Sequence, residues 1–228
     1  CTTDHGNAFP AMKCNLNKFG TGVFCIMSLP GKIMKGSASD ALLSQIDLFP
    51  TICELLELPQ PPWLQGTSFI PLLKGNNEQI RDELFAEITY HCNYEPQRMV
   101  RTPNYLYIRR YTSRNKVYCA DCDEGLSKQM WMENGWQDRS VDKEQLYDLM
   151  FDPQEAKNQV NNPEYESVLV DMRERLDCWQ HETSDFLYTG KECKFITNTP
   201  EGNIYVSKDT DCNTSDLWLI QEQPKGYA

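Results

Sequence analysis

An aspartate followed at once by a histidine and a glycine, Asp4-His5-Gly6, is the first place where this sequence offers chemistry. A carboxylate and an imidazole side by side can both ligate a divalent cation, and the glycine lets the backbone turn tightly behind them. Taken alone, such a triplet is more often a plain turn. Lys13, further along the same stretch, can bring a positive charge to the same mouth, where an anion would be gripped; by itself it is a surface lysine. His91, in the run Thr89-Tyr90-His91-Cys92-Asn93, is of the right type to donate a proton or to line a pocket, or it is an ordinary histidine beside a strand. Arg98 opens a basic cluster with Arg101, Arg109, Arg110, Arg114 and Lys116, whose simplest reading is a solvated strand edge. Of the ten cysteines, only Cys119 and Cys122 form a CxxC pair, and two thiolates are half of what a structural zinc needs.

The elements that must position these residues follow from pattern. Cys1 to Thr3 read as the end of a strand that delivers Asp4-His5-Gly6 into a loop. The run Gly22-Val23-Phe24-Cys25-Ile26-Met27-Ser28-Leu29 is apolar almost throughout and stops at Pro30-Gly31, the signature of a strand buried on both faces of a parallel sheet. Asp47 precedes a helix with Leu48, Pro50, Ile52, Leu55 and Leu56 on one face, Asp47 as its cap and Pro50 within its first turn. Beyond Asp82, Leu84 to Ile88 and Tyr105 to Tyr111 read as strands. Residues 113–139 are polar without a period and read as an insertion loop. After Asn162-Pro163, the spacing of Tyr165, Val168, Leu169, Met172, Leu176 and Trp179 predicts a long helix. The expected class is α/β. Residues 1–75 form part of a core sheet with its helices, 76–187 a small antiparallel sheet packed with a long C-terminal helix, and 188–228 an irregular tail.

Charge narrows the function. A net charge of −11 argues against nucleic acid as a partner, because phosphate contacts need a basic footprint. It would also repel an anionic substrate at long range, so a local cationic cluster must override the overall field. The apolar run at Gly22–Leu29 is too short to span a bilayer, and no membrane span is expected. The sequon Asn213-Thr214-Ser215 would matter only in a secreted protein.

In order along the chain stand TTDHG, FPAMK, GVFCIMSLPGKI, SDALLSQIDLFPTICELLELP, LQGTSFIPLLKG, RDELFAE, VRTPNYLYIRR and EQLYDLMFDPQEAKNQ. This ordered set resembles the second half of sulfatases of the alkaline-phosphatase-like superfamily, from about Thr2 to about Leu187. FPAMKCNLNKFGTG and RLDCWQHETSDFL are most similar to the heparan N-sulfatase (sulfamidase) branch. The resemblance implies that Asp4 ligates a divalent cation, usually calcium in that family, with His5 as the next ligand. It implies that Lys13 grips the sulfate, that His91 lines the substrate pocket and acts as a general acid on the leaving atom, and that Arg98 belongs to the same rim. The substrate would be a sulfated small molecule or saccharide.

In that family the nucleophile is a formylglycine made from the first residue of a C/S-x-P-x-R motif in the N-terminal half. Neither Tyr94-Glu95-Pro96-Gln97-Arg98 nor Ser28-Leu29-Pro30-Gly31-Lys32 meets the pattern. The formylglycine is therefore expected in an N-terminal half not present here, and the isolated chain is expected to be inactive. Two alternatives remain at this point. One is a phosphohydrolase or phosphonate hydrolase of the same superfamily, because the imidazole of His5 suits zinc or manganese better than calcium. The other is an inactive truncated product.

Overall fold

The computed structural model describes residues 1–76, 79–91, 94–112, 114–119 and 121–188, apart from the side chain of Tyr94, and the backbone of a ladder pairing 197–198 with 204–205. The rest of the 188–228 tail, with its sequon, and Cys92 lie outside the described residues.

The first region runs through residues 1–76 and carries little regular structure. Helix α1, Lys18–Thr21, is capped by Asn17, whose side chain accepts from the Phe19 and Gly20 amides. Helix α2 is Leu48–Leu55 and α3 is Ile70–Leu73. The apolar run at 22–29 does not form the predicted doubly buried parallel strand. It makes one antiparallel bridge, Thr2 with Cys25, flanked by the Ile26 amide on the Cys1 carbonyl at 2.8 Å. Phe24 and Ile26 stand exposed, because no neighbouring strand covers either side of the run among the described residues.

Helix α2 forms where expected, but it buries Pro50, Thr51 and Cys53, while Ile52 and Leu56 face outward. Nor does Asp47 cap it. Its fully buried carboxylate accepts from the Ser44 and Thr67 amides at 2.7 and 2.8 Å and from both terminal nitrogens of Arg81 at 2.6 Å. A buried carboxylate needs such partners for both oxygens, and a fork from arginine outcompetes a helix amide for them.

The second region is an antiparallel meander of β1 (Leu84–Tyr90), β2 (Tyr94–Arg101), β3 (Tyr105–Arg110) and β4 (Glu144–Asp148), in that spatial order. Strand β2 escapes a reading by pattern because Pro96 and charged residues interrupt it. The structure accommodates the proline where the β1–β2 register shifts, the kind of irregularity that tolerates a missing N–H. Between β3 and β4, the segment read as an insertion loop is closed at its neck by a Lys116–Ser140 bridge and holds helix α4, Leu126–Glu133. The long helix, α5, spans Glu166–Glu182 as predicted.

Strand alternation sends side chains to two faces. On one, the row Val100, Tyr107 and Leu146 meets Leu169, Met172 and Leu176 of α5. On the other, Met99, Leu106, Ile108 and Tyr147 pack with Leu16 from the first region. The sheet is thus covered by a helix on one side and by the 10–17 loop on the other. The α/β class with a small antiparallel sheet and a long packed helix is the architecture observed.

Candidate functional site

Asp4 and His5 leave the Thr2–Cys25 bridge on a loop held by a close backbone crossing. The Gly6 amide donates to Gly20 O at 2.9 Å, and a Cβ on Gly6 would lie 1.9 Å from Phe19 O, so only glycine fits. Both side chains are exposed. His5 Nδ1 lies 2.6 Å from the Gly6 carbonyl oxygen, which can only accept, so that nitrogen carries the proton. In the neutral ring Nε2 then offers its lone pair, and it stands 3.9 Å from Asp4 Oδ2. This is the spacing of two donors about a divalent cation, and the backbone carbonyl fixes the imidazole tautomer as an outer partner of a metal ligand does. The donor set of one carboxylate and one imidazole fits part of a divalent site, and more ligands are needed to complete it.

Lys13 and His91 come from distant parts of the chain and are held by one loop. Lys13 Nζ donates to Asp123 Oδ1 at 3.1 Å, and His91 Nδ1 lies 2.7 Å from Asp121 Oδ1. The loop is tied down in turn: Cys122 Sγ reaches Ala8 O at 3.8 Å, and Lys128 Nζ donates to Cys122 O at 3.0 Å. Burial pushes the Cys119 and Cys122 thiols up, with the Lys128 charge acting the other way. Both therefore stay protonated near neutrality. Asp121 and Asp123 were not singled out from the sequence, although they sit within and just after the CxxC that was.

Of these residues, Lys13, Asp121 and Cys122 border a cavity of about 370 Å³ between the 10–17 loop and the outer sheet face. Its floor is Glu95, Gln97, Ile108, Arg110 and Tyr147, and Trp131 and Trp136 close one side. Arg110 is buried against Glu95, and its Nε has no hydrogen-bond partner. Burial, reinforced by the nearby Arg114 charge, pulls its pKa down to about 10, which still leaves it cationic at neutral pH.

Arg98 does not belong to this rim. It alternates with Gln97 and so faces α5, with Nε 2.7 Å from Asp185 Oδ2 and NH1 donating to the Ile88 and Gln97 carbonyls at 2.9 Å. Its side chain is 1% exposed. Within the basic cluster, the strand arginines likewise form no solvated edge, while Lys116 beyond the strands is exposed. Strands β2 and β3 are central, and Arg109 and Arg110 are paired with Asp177 and Glu95.

Comparison with known proteins places this geometry in context. Residues 18–128 match the family described as N-sulphoglucosamine sulphohydrolase, C-terminal. An ulvan-active sulfatase of Formosa agariphila is 26% identical over 91% of this chain and 39% of its own length. The human N-sulphoglucosamine sulphohydrolase is 26% identical over 81% of this chain and 41% of its own. A Bacteroides thetaiotaomicron structure described as a candidate sulfatase superposes with a TM-score of 0.59 at 26% identity, over 79% of this chain and 34% of that one. The chain thus spans about two fifths of the curated relatives it matches. Among the described residues, no helix is long and apolar enough to cross a membrane.

Proposed function

We propose that this chain, which is similar to the C-terminal part of sulfatases, forms part of the active site of a hydrolase for sulfate esters or N-sulfates. The observation that carries the reading is the pairing of Asp4 with a histidine whose ring is locked to present Nε2 beside the carboxylate. Asp4 and His5 would hold a divalent cation, calcium by family habit. Such a cation, when bound, stabilises negative charge on the sulfuryl oxygens.

The chain's own residues have separable tasks. Lys13 supplies a fixed cation to a sulfate oxygen, and Asp123 limits where the ammonium can go. His91 is oriented by Asp121 through Nδ1, which leaves Nε2 as the nitrogen to donate to the leaving atom. Arg98, locked under α5, has no part in this. The substrate class is a sulfated saccharide or small sulfated molecule, in keeping with relatives that act on sulfated sugars by their names. By the resemblance, a formylglycine nucleophile would be supplied from outside the residues of this chain.

The test is kinetic, on the whole protein. Asp4→Asn and Lys13→Ala should each lower sulfate-ester turnover about 10²–10³-fold, the usual loss for one group that stabilises transition-state charge. Unchanged turnover in both variants, or a preference for phosphate over sulfate esters, would end the proposal.

A further inference from the structure

We propose that Cys14, His91 and Asp121 form a second metal site, separate from the Asp4–His5 pair and built for a zinc-class cation. One ligand atom from each, a thiol sulfur, an imidazole nitrogen and a carboxylate oxygen, lies within 4.8 Å of the other two. The three residues come from the 10–17 loop, the end of β1 and the 119–124 loop, so the fold assembles the cluster. Cys14 adopts a φ of 62°, a left-handed conformation that a cysteine rarely takes, and its Sγ stands with the other two donors.

Donor chemistry selects the ion. Thiolate with imidazole and carboxylate is a borderline-soft set that favours zinc and disfavours calcium or magnesium, which want oxygen throughout. With bonds of about 2.0–2.3 Å, ligands on one tetrahedral zinc stand roughly 3.2–3.8 Å apart, so rotamer-scale movement closes the cluster. His91 Nδ1 and Asp121 Oδ1, now 2.7 Å apart around a shared proton, would open slightly as zinc takes the proton's place. Zinc binding would thus release that proton and the one on the Cys14 thiol.

Three protein ligands leave a fourth position for water or an anion, and Cys14 and Asp121 line the cavity that would supply it. Coordination through Nδ1 would replace the Asp121 contact and leave a neutral ring with its proton on Nε2, able to hydrogen-bond a substrate oxygen. The neighbouring CxxC is the rival for the same ion. Its Cys122 Sγ is turned instead toward the Ala8 and Asp123 carbonyls, at 3.8 and 3.5 Å.

Cobalt(II), which substitutes for zinc and reports thiolate ligation by a near-ultraviolet charge-transfer band, tests the site in the whole protein. The unmodified protein should show the band. Cys14→Ser should abolish it, His91→Gln and Asp121→Asn should weaken binding by at least about 10-fold, and Cys122→Ser should leave it unchanged. A readout without variants is alkylation of the native protein followed by peptide mass analysis. Zinc should protect Cys14 while leaving the exposed Cys25 and Cys178 reactive. No band in the unmodified protein, a band that survives Cys14→Ser, loss of the band in Cys122→Ser, or equal alkylation of Cys14 with and without zinc would each overturn the proposal.

Discussion

Ile26 in the first region is 65% exposed, whereas Leu176 in the second is fully buried, although each lies in an apolar pattern that asks for burial. In residues 79–188 the row that faces α5 is covered from within, by a meander on one long helix, although Leu126, Met150 and Phe151 stay exposed and the other sheet face takes Leu16 from the first region. Residues 1–76 leave Phe24, Ile26, Leu56, Leu58 and Trp63 facing outward. The difference teaches that hydrophobic pattern reports a need for cover without saying which segment provides it. The catalytic candidates are distributed accordingly. Asp4, His5 and Lys13 stand on the loosely covered part, and His91 and its aspartate partner on the closed one.

If the second region is self-sufficient, its stability should depend sharply on its own buried groups. Arg98→Met should cost about 3–5 kcal/mol in urea unfolding, because it leaves Asp185 charged and buried without its partner. Sulfate-ester turnover of the folded protein should hold, and a selective loss of turnover would return Arg98 to the pocket. Acid sharpens the same point. Burial alone would raise the Asp185 carboxyl, but hydrogen bonds from Arg98, Gln180 and the Leu187 amide outweigh it and hold the pKa below its ordinary value of 3.8. The stability this group provides is therefore complete above that value and is lost as pH falls through the lower folded one. Unfolding followed from pH 6 downward should show no loss of stability attributable to Asp185 until about pH 4, judged against Asp185→Asn.

Next in size, Leu176→Ala should cost about 2–5 kcal/mol, because the cavity opens against Met172, Val100 and Tyr107, where the packing is closed. The smallest effect is the most discriminating. Ile26→Ser should shift the stability of the 228-residue chain by less than about 0.5 kcal/mol, since most of that side chain faces outward. A loss several times larger would show the first region to be covered in solution and would erase the contrast.

Much of the second region was legible. The spacing of Leu169, Met172 and Leu176 marks α5, and the alternation about Tyr107 marks β3. Strand β2 was hidden by Pro96, whose tolerance depends on a register shift that only the partner strand reveals. The doubly buried strand at 22–29 failed because a run of apolar residues specifies burial, and the neighbours are a tertiary fact.

At the site, the convergence of Asp4 and His5 was readable because the residues are adjacent. That of Lys13 and His91 was not, since it depends on Asp121 and Asp123, which carry no signal beyond sitting among cysteines. Arg98 was misplaced by a single step of strand parity, one residue from Gln97, which does line the cavity.

One of the ties between the two regions is the Asp47–Arg81 pair. Because it meets through two parallel bonds, it resists twisting as well as separation, as a hinge pin with a flat key would. The angle at which the Asp4 loop is presented to the His91 face is thus registered at a point remote from both. A lysine at position 81 would retain the charge and surrender that alignment.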